Sequence, residues 1–192
     1  MSKADPAARK RERSKTIRWV VTIFLVTIVV SGIISLLSEV LMAGSTMPGA
    51  FVILFAIIFI GIVFDIIGMA VASADEKPFH SMAARKVPGA QEAIALLRNA
   101  ERVSSICNDV VGDICGVVSG AASATIAAQI LSNFQFSWPR VITLAMSALA
   151  AGLTVGGKAL GKGFAVNSST VIVHTVGKVI HALRCKPRRK KK

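Results

Sequence analysis

Four long apolar runs dominate the hydropathy pattern of this chain: Trp19–Ser38, about 50–73, about 105–131 and about 139–158. Each is long enough to cross a hydrocarbon core about 30 Å thick, which takes about 20 residues of helix. The pattern changes between the second and third runs. Residues 75–104 mix charged and apolar positions, and Val87-Pro88-Gly89 predicts a break between two short helices. In the second of these, Ala93, Leu96, Leu97 and Ala100 form an apolar face suited to lying along a membrane surface. Residues 164–184 also alternate, and they carry Asn167, His174, Lys178 and His181. They predict another interfacial amphipathic helix rather than a fifth span. The pattern therefore predicts an all-α integral membrane protein of four transmembrane helices plus interfacial helices.

Composition agrees. The 192 residues are 53% hydrophobic, and four spans with their tails leave no segment for a separate soluble domain. The net charge of +13 is clustered: seven of the 23 basic residues precede Trp19, and seven of the last nine residues are Lys or Arg. Such runs beside apolar segments read as membrane flanks that contact anionic lipid headgroups, not as a nucleic-acid surface. The 43–49 loop has no basic residue, and the 132–139 loop has only Arg140 at its edge. The positive-inside rule then places both termini in the cytoplasm, with the protein in the plasma (inner) membrane. Residues 1–18 read as a basic cytoplasmic tail, disordered or lying on the surface. Residues 19–49 read as an uncleaved signal-anchor span and its uncharged loop, with Glu39 at the far end of the span where it can reach water. Residues 50–184 form the main transmembrane domain, and residues 185–192 a polybasic tail.

The sequence holds no Gly-rich phosphate loop, His-Glu-x-x-His helix or nucleophile elbow, so no enzyme and no cofactor is expected. Cys107 and Cys115 fall in a span and Cys185 in a basic tail, a pattern that fits neither a disulfide framework nor a zinc site. Gly112, Gly116 and Gly120 recur every four residues, a spacing that lets helices approach closely and predicts a homo-oligomer. His174 and His181 would share a helix face. SNFQFSWP supplies an interfacial aromatic belt before the last span.

The intramembrane polar residues carry the candidate chemistry: Asp65, Asn108, Asp109 and Asp113, with Lys158 and Lys162 near the end of the fourth run. A carboxylate inside a span is costly and marks a function or a paired charge. Three alternatives stand on the residues alone. The carboxylates line a cation pathway, since oxygen ligands suit hard cations such as Mg2+; Asp109 and Asp113 are merely solvated near the interface; or Asp65 pairs with Lys158 as a buried bridge.

The order of features over residues 60–184 resembles the transmembrane domain of the CorB/CorC/cyclin-M magnesium transporters. FDIIGMAVAS at Phe64–Ser73 is similar to that family's F-S-x-x-E-T-A-L-x-S, Asn99-Ala100-Glu101-Arg102 to its N-P-E-R, and Gly157-Lys158-Ala159-Leu160-Gly161-Lys162 to its G-E-x-x-P-K. The resemblance implies Mg2+ or Co2+ transport by a dimer, with Mg2+ as the transported ion. It points to Asp65, Asn108 and Asp113 as metal ligands, with Ser73 as a further hydroxyl ligand. Three positions depart from the pattern. Asp65 stands where the family has serine, Gly68 where it has glutamate, and Lys158 where it has the glutamate of its last motif. Asn108 or Asp113 stands for the family's asparagine, depending on a gap. The regulatory CBS pair of longer members is not among these residues, so nucleotide gating of that kind is not expected. The exchanges imply either a pseudo-site, with the Lys158 ammonium in the place of the ion, or a relocated site. The competing expectation is a non-transporting scaffold or accessory subunit held by an Asp65–Lys158 pair.

Overall fold

The computed structural model describes residues 6–133 and 138–184, with side chains from Ile17 onward. Among the described residues all regular structure is helical. The order is α1 (Pro6–Ala43), α2 (Met47–Ser73), α3 (Lys77–Ala84), α4 (Ala90–Arg98), α5 (Ala100–Ser105), a π-helical segment (Ile106–Gly112), α6 (Asp113–Asn133), α7 (Pro139–Asn167) and α8 (Ser169–Arg184). Four helical stretches are long and apolar enough to cross a membrane: Ile17–Ala43, Met47–Ser73, Ala100–Asn133 and Pro139–Asn167. By length and composition the chain is an integral membrane protein. The 27 residues of α2 span roughly 40 Å at about 1.5 Å per residue, more than the hydrocarbon core requires.

The turns follow local chemistry. Pro48, Pro78 and Pro139 open α2, α3 and α7 in the first turn, where a missing N–H costs nothing. After α1, the Ser45 N–H and hydroxyl both donate to the Met42 carbonyl, at 3.1 and 2.9 Å. Two stretches differ from expectation. The basic stretch before Trp19 is helical from Pro6, because Ala, Arg, Lys and Glu are strong helix formers and the apolar span beside them supplies the nucleus. The glycine-rich stretch after residue 156 does not end α7, which runs on to Asn167. Its glycines serve packing. Gly157 lies against Ile62, and a methyl on Gly161 would sit 2.7 Å from Ile66 Cγ1. The last turns of α7 therefore press on the isoleucine side chains of α2.

α2 is the axis of the bundle. It packs against α1, α4, α5, the π segment, α6, α7 and α8. One apolar cluster joins it to α1 and α6 through Met42, Ala50, Leu54, Ile58, Ala122 and Ile126. A second, around Ala70, Val71, Phe79, Ala93, Ala165 and Val173, seats α3, α4 and α8 where α2 and α7 end. The end of the bundle that carries α3, α4, α5 and α8 is called the tail end below, and the opposite end, at residues 43–47, the loop end. α1 is held by Ile23, Val30 and Ile34 against Val110, Ile114 and Val118. At the tail end the Arg102 guanidinium stacks over Trp19, 5.2 Å from the ring centre.

The expected glycine stripe of α6 divides. A side chain on Gly112 would meet Lys158 and Asp65, whereas Gly116 and Gly120 have nothing within 4 Å. Of the aromatic belt, Trp138 is exposed, while Phe134 and Phe136 lie outside the described residues, as does the 185–192 tail.

α4 and α8 cross at two glycines. Gly89 takes φ +86°, and a methyl on Gly177 would strike the Gly89 carbonyl oxygen. Backbone cannot yield as a flexible side chain can. Gly177→Ala is expected to cost about 1–3 kcal/mol of stability. Gly163→Ala, where nothing lies within 4 Å, is expected to be neutral or stabilising by up to about 1 kcal/mol. Thermal unfolding of the two variants beside wild type measures both; equal behaviour would show that the crossing is not tight.

Candidate functional site

Asp65 is the one charged residue in α2. It lies roughly 12 Å before the helix end at Ser73, at about 1.5 Å per residue, with only 9% of its side chain exposed. The opposing position on α7 is Lys158, whose Nζ lies 3.7 Å from Asp65 Oδ1 and 3.6 Å from Asp113 Oδ1. Lys158 is mostly buried, with 19% of its side chain exposed, whereas Asp113 is 73% exposed. Both separations exceed the 2.7–2.9 Å or so of a charge-assisted hydrogen bond. The ammonium is thus held between two carboxylates by charge, without a tight bond to either.

Small residues make this approach achievable. Gly112 faces the ammonium, and a methyl there would lie 3.2 Å from Lys158 Nζ and 3.7 Å from Asp65 Oδ1. Gly61 accepts Cys115 at close range, and a methyl on Gly68 would overlap the Asn108 carboxamide oxygen. These glycines let α2 lie against the π segment and the start of α6.

The π segment sets the direction of the polar side chains. In an α-helix, residues five apart point about 140° away from each other, at 3.6 residues per turn. In a π-helix, whose hydrogen bonds join residues five apart, they are brought toward one face. Asn108 lies inside the π segment, which ends at Gly112, and Asp113 follows it, its N–H donating to the Val110 carbonyl. Asn108 Nδ2 donates to Ser104 Oγ at 3.3 Å. Asn108 Oδ1 is buried against Gly68 and has no hydrogen-bond partner, an arrangement that carries a desolvation cost of about 1–3 kcal/mol.

The structure places two of the four expected metal ligands, Asp65 and Asp113, at salt-bridge distance from Lys158, whereas Asn108 packs against Gly68, about one turn along α2 from Asp65. The fourth, Ser73, is exposed at the end of α2 and does not join them. Asp109 turns away and accepts a 2.8 Å hydrogen bond from the Ser105 hydroxyl, and Lys162 is exposed. Among the described residues no group of three or more His, Cys, Asp or Glu side chains is placed to hold a metal ion. With formal charges the centre sums to −1: two carboxylates and one ammonium. Periodicity reveals Asp65 and Lys158 as charges in apolar helices. It does not reveal the π segment that holds Asn108 and ends just before Asp113.

A second polar cluster clasps α8 to α4. His181 Nδ1 lies 2.8 Å from Glu92 Oε1, and His174 Nε2 lies 3.3 Å from the Pro88 carbonyl oxygen. His174 and His181 do share a face, as their seven-residue spacing predicts, and each is engaged with α4 or the turn before it. Glu92 has 14% of its side chain exposed. Its pKa is lowered chiefly by the hydrogen bond from His181, with smaller contributions from its own backbone and the charges of His181 and Arg184, against a desolvation that raises it.

No family model, curated protein or solved structure matches the chain.

The lowered Glu92 pKa fixes the sign of a pH dependence. Because the folded value is depressed, the stabilisation is complete above the unfolded glutamate value, roughly 4.3. It is lost as pH falls from there through the lower folded value. The protection of α8 amides, taken as exchange relative to the unstructured rate at each pH, is expected to fall over that acid window in wild type and to stay flat in Glu92→Gln. A flat wild-type profile would show that the clasp does not hold α8.

Proposed function

We propose that this is a membrane protein for divalent cation transport or handling, with Mg2+ or Co2+ as the cargo, acting at the centre formed by Asp65, Asn108 and Asp113. One observation carries this reading: carboxylates from α2 and α6 converge on a single cation, the ammonium of Lys158, and the unfilled amide oxygen of Asn108 lies against Gly68, about one turn along α2 from Asp65. Two features make the centre suited to a cation and not merely to a bridge. Its formal charge is negative even with Lys158 counted. Its buried acceptor, Asn108 Oδ1, has no donor, although an Asn at this depth is costly unless it is used.

In this reading Lys158 is a tethered counter-ion. It holds the carboxylates when no cargo is bound and moves toward the tail end when a hydrated divalent cation takes its place. Asp113 is exposed and offers the first contact, and Asp65, deeper, offers the second. Oxygen ligands with retained waters are what Mg2+ prefers. The likeness to CorB-type magnesium transporters at Phe64–Ser73, Asn99–Arg102 and Gly157–Lys162 points the same way. The reading extends to a homo-oligomer in the plasma (inner) membrane with both termini cytoplasmic. The exposed Arg85, Lys86, Arg98, Lys178 and Arg184 then face anionic headgroups, at about 1 kcal/mol for each basic residue near the surface.

A second reading has its own observation. Lys158 already neutralises part of the centre from salt-bridge distance, as a purely structural pair in a scaffold or accessory subunit would. Mg2+ flux into proteoliposomes separates the two. Under a steep gradient, wild type is expected to carry Mg2+, and Asp65→Ala to fall by roughly tenfold or more through loss of a carboxylate ligand. A wild type that carries none would sink transport by this chain alone and leave the structural pair.

A further inference from the structure

Helices in a lipid bilayer gain little from apolar contact with one another, so polar groups between them carry much of the association. α1 meets α6 through a cleft of about 260 Å³ near the loop end, lined by Ser35, Ser38, Glu39 and Met42 of α1 and by Val118, Ala121, Ala122 and Thr125 of α6. Four of these eight residues carry side-chain oxygens. Glu39 forms no salt bridge among the described residues. Ser38 is only 7% exposed, and its hydroxyl donates to the soft Met42 sulfur at 3.8 Å, which leaves the oxygen lone pairs without a donor. The Thr125 hydroxyl donates to the Ala121 carbonyl at 3.2 Å, so its oxygen too is free to accept.

The set is rich in acceptors and lacks a positive partner. A carboxylate and three hydroxyls are hard oxygen ligands, and the walls supply no imidazole or thiolate. That chemistry selects a hydrated divalent cation of the Mg2+ or Ca2+ class over a soft transition metal. The cleft also lies where α1 needs a tie. The tail end of α1 is anchored by Arg102 over Trp19 and its middle by Ile23, Val30 and Ile34. Beyond Ser38, Met42 is the residue of α1 that enters a buried cluster.

We propose that the α1–α6 cleft is a second cation site, in which a divalent ion bound by Glu39, Ser35, Ser38 and Thr125 staples the first span onto the rest of the bundle. The site is separate from the Asp65 centre. It lies at the loop end, and Thr125 is roughly 18 Å along the helix from Asp113 at about 1.5 Å per residue. It uses no residue of that centre. A single carboxylate makes it a weak site, filled at the higher ion concentrations typical of extracellular modules.

The test uses the full-length chain in lipid nanodiscs and Mn2+ as the probe, with bound ion read from the loss of the free-ion EPR signal. Glu39→Gln is expected to weaken one class of Mn2+ binding by roughly tenfold or more, since it removes the only charged ligand. Thr125→Val, nearly isosteric and on an exposed position, is expected to weaken the same class severalfold. Asp65→Ala is expected to leave that class intact. Mn2+ binding unchanged in both Glu39→Gln and Thr125→Val would overturn the cleft site, whatever Asp65→Ala does. Binding lost in Asp65→Ala alone would overturn it too, while supporting the central cation site. Loss confined to the cleft variants would support the staple and count against the Asp65 centre. A wild type that binds no Mn2+ in the millimolar range overturns both.

Discussion

The position of one ammonium group constrains the middle of this bundle. A lone carboxylate at the depth of Asp65 is expensive in a bilayer, and so is a lone ammonium at Lys158. Each is tolerable because the other is there. At separations near 4 Å the attraction is about 4 kcal/mol at an effective dielectric of about 20. The desolvation of both groups opposes this, so the pair stabilises little net, yet removal of one partner leaves a buried charge worth several kcal/mol of penalty. Asp113 adds less, because it is largely exposed and solvent screens it. The glycines at 61, 68, 112, 157 and 161 follow from this constraint. They bring α2, α6 and α7 close enough for the charges to meet, and side chains at Gly68 or Gly112 would fill the space that Asn108 and Lys158 occupy.

The π segment is the second element of the arrangement. It breaks the α-helical register between α5 and α6, with Asn108 inside it and Asp113 just after it. It also leaves Asn108 Oδ1 buried without a donor. Unfilled acceptors of this kind are rare in native structures and call for a physical role. A cation in the centre would supply one. The proposed cation handling rests on this unfilled amide oxygen and on the surplus negative charge.

Much of the fold was legible in the sequence because bilayer thickness imposes a length and a composition on each span. The four spans, the Val87-Pro88-Gly89 break and an amphipathic helix within 164–184, which begins at Ser169, all follow from hydropathy, proline chemistry and alternation. What was not legible depends on contacts between distant residues. The fourth apolar run was expected to end near residue 158, yet α7 stays helical to Asn167, with Gly157 and Gly161 packed on isoleucines of α2. The Gly112, Gly116 and Gly120 stripe looked uniform, yet only Gly112 faces the charged centre. Asp65 and Lys158 stood out as partners because each is a charge in an apolar helix. Whether Asn108 or Asp113 joins them was left open by sequence; Asp113 lies at salt-bridge distance from Lys158, and Asn108 packs against Gly68. Ser73 carried only the weight of motif alignment, and the length of α2 sets it two turns from the centre.

The central claim is that Lys158 occupies the place of a cation. The most direct measurement is thermal unfolding of Lys158→Glu in nanodiscs, with and without millimolar Mg2+. Three carboxylates then share one site with no resident counter-ion. The account predicts a variant clearly less stable than wild type without Mg2+ and restored toward wild type when Mg2+ is added. A Lys158→Glu protein that is as stable as wild type without the ion, or that stays unstable with it, would contradict the claim.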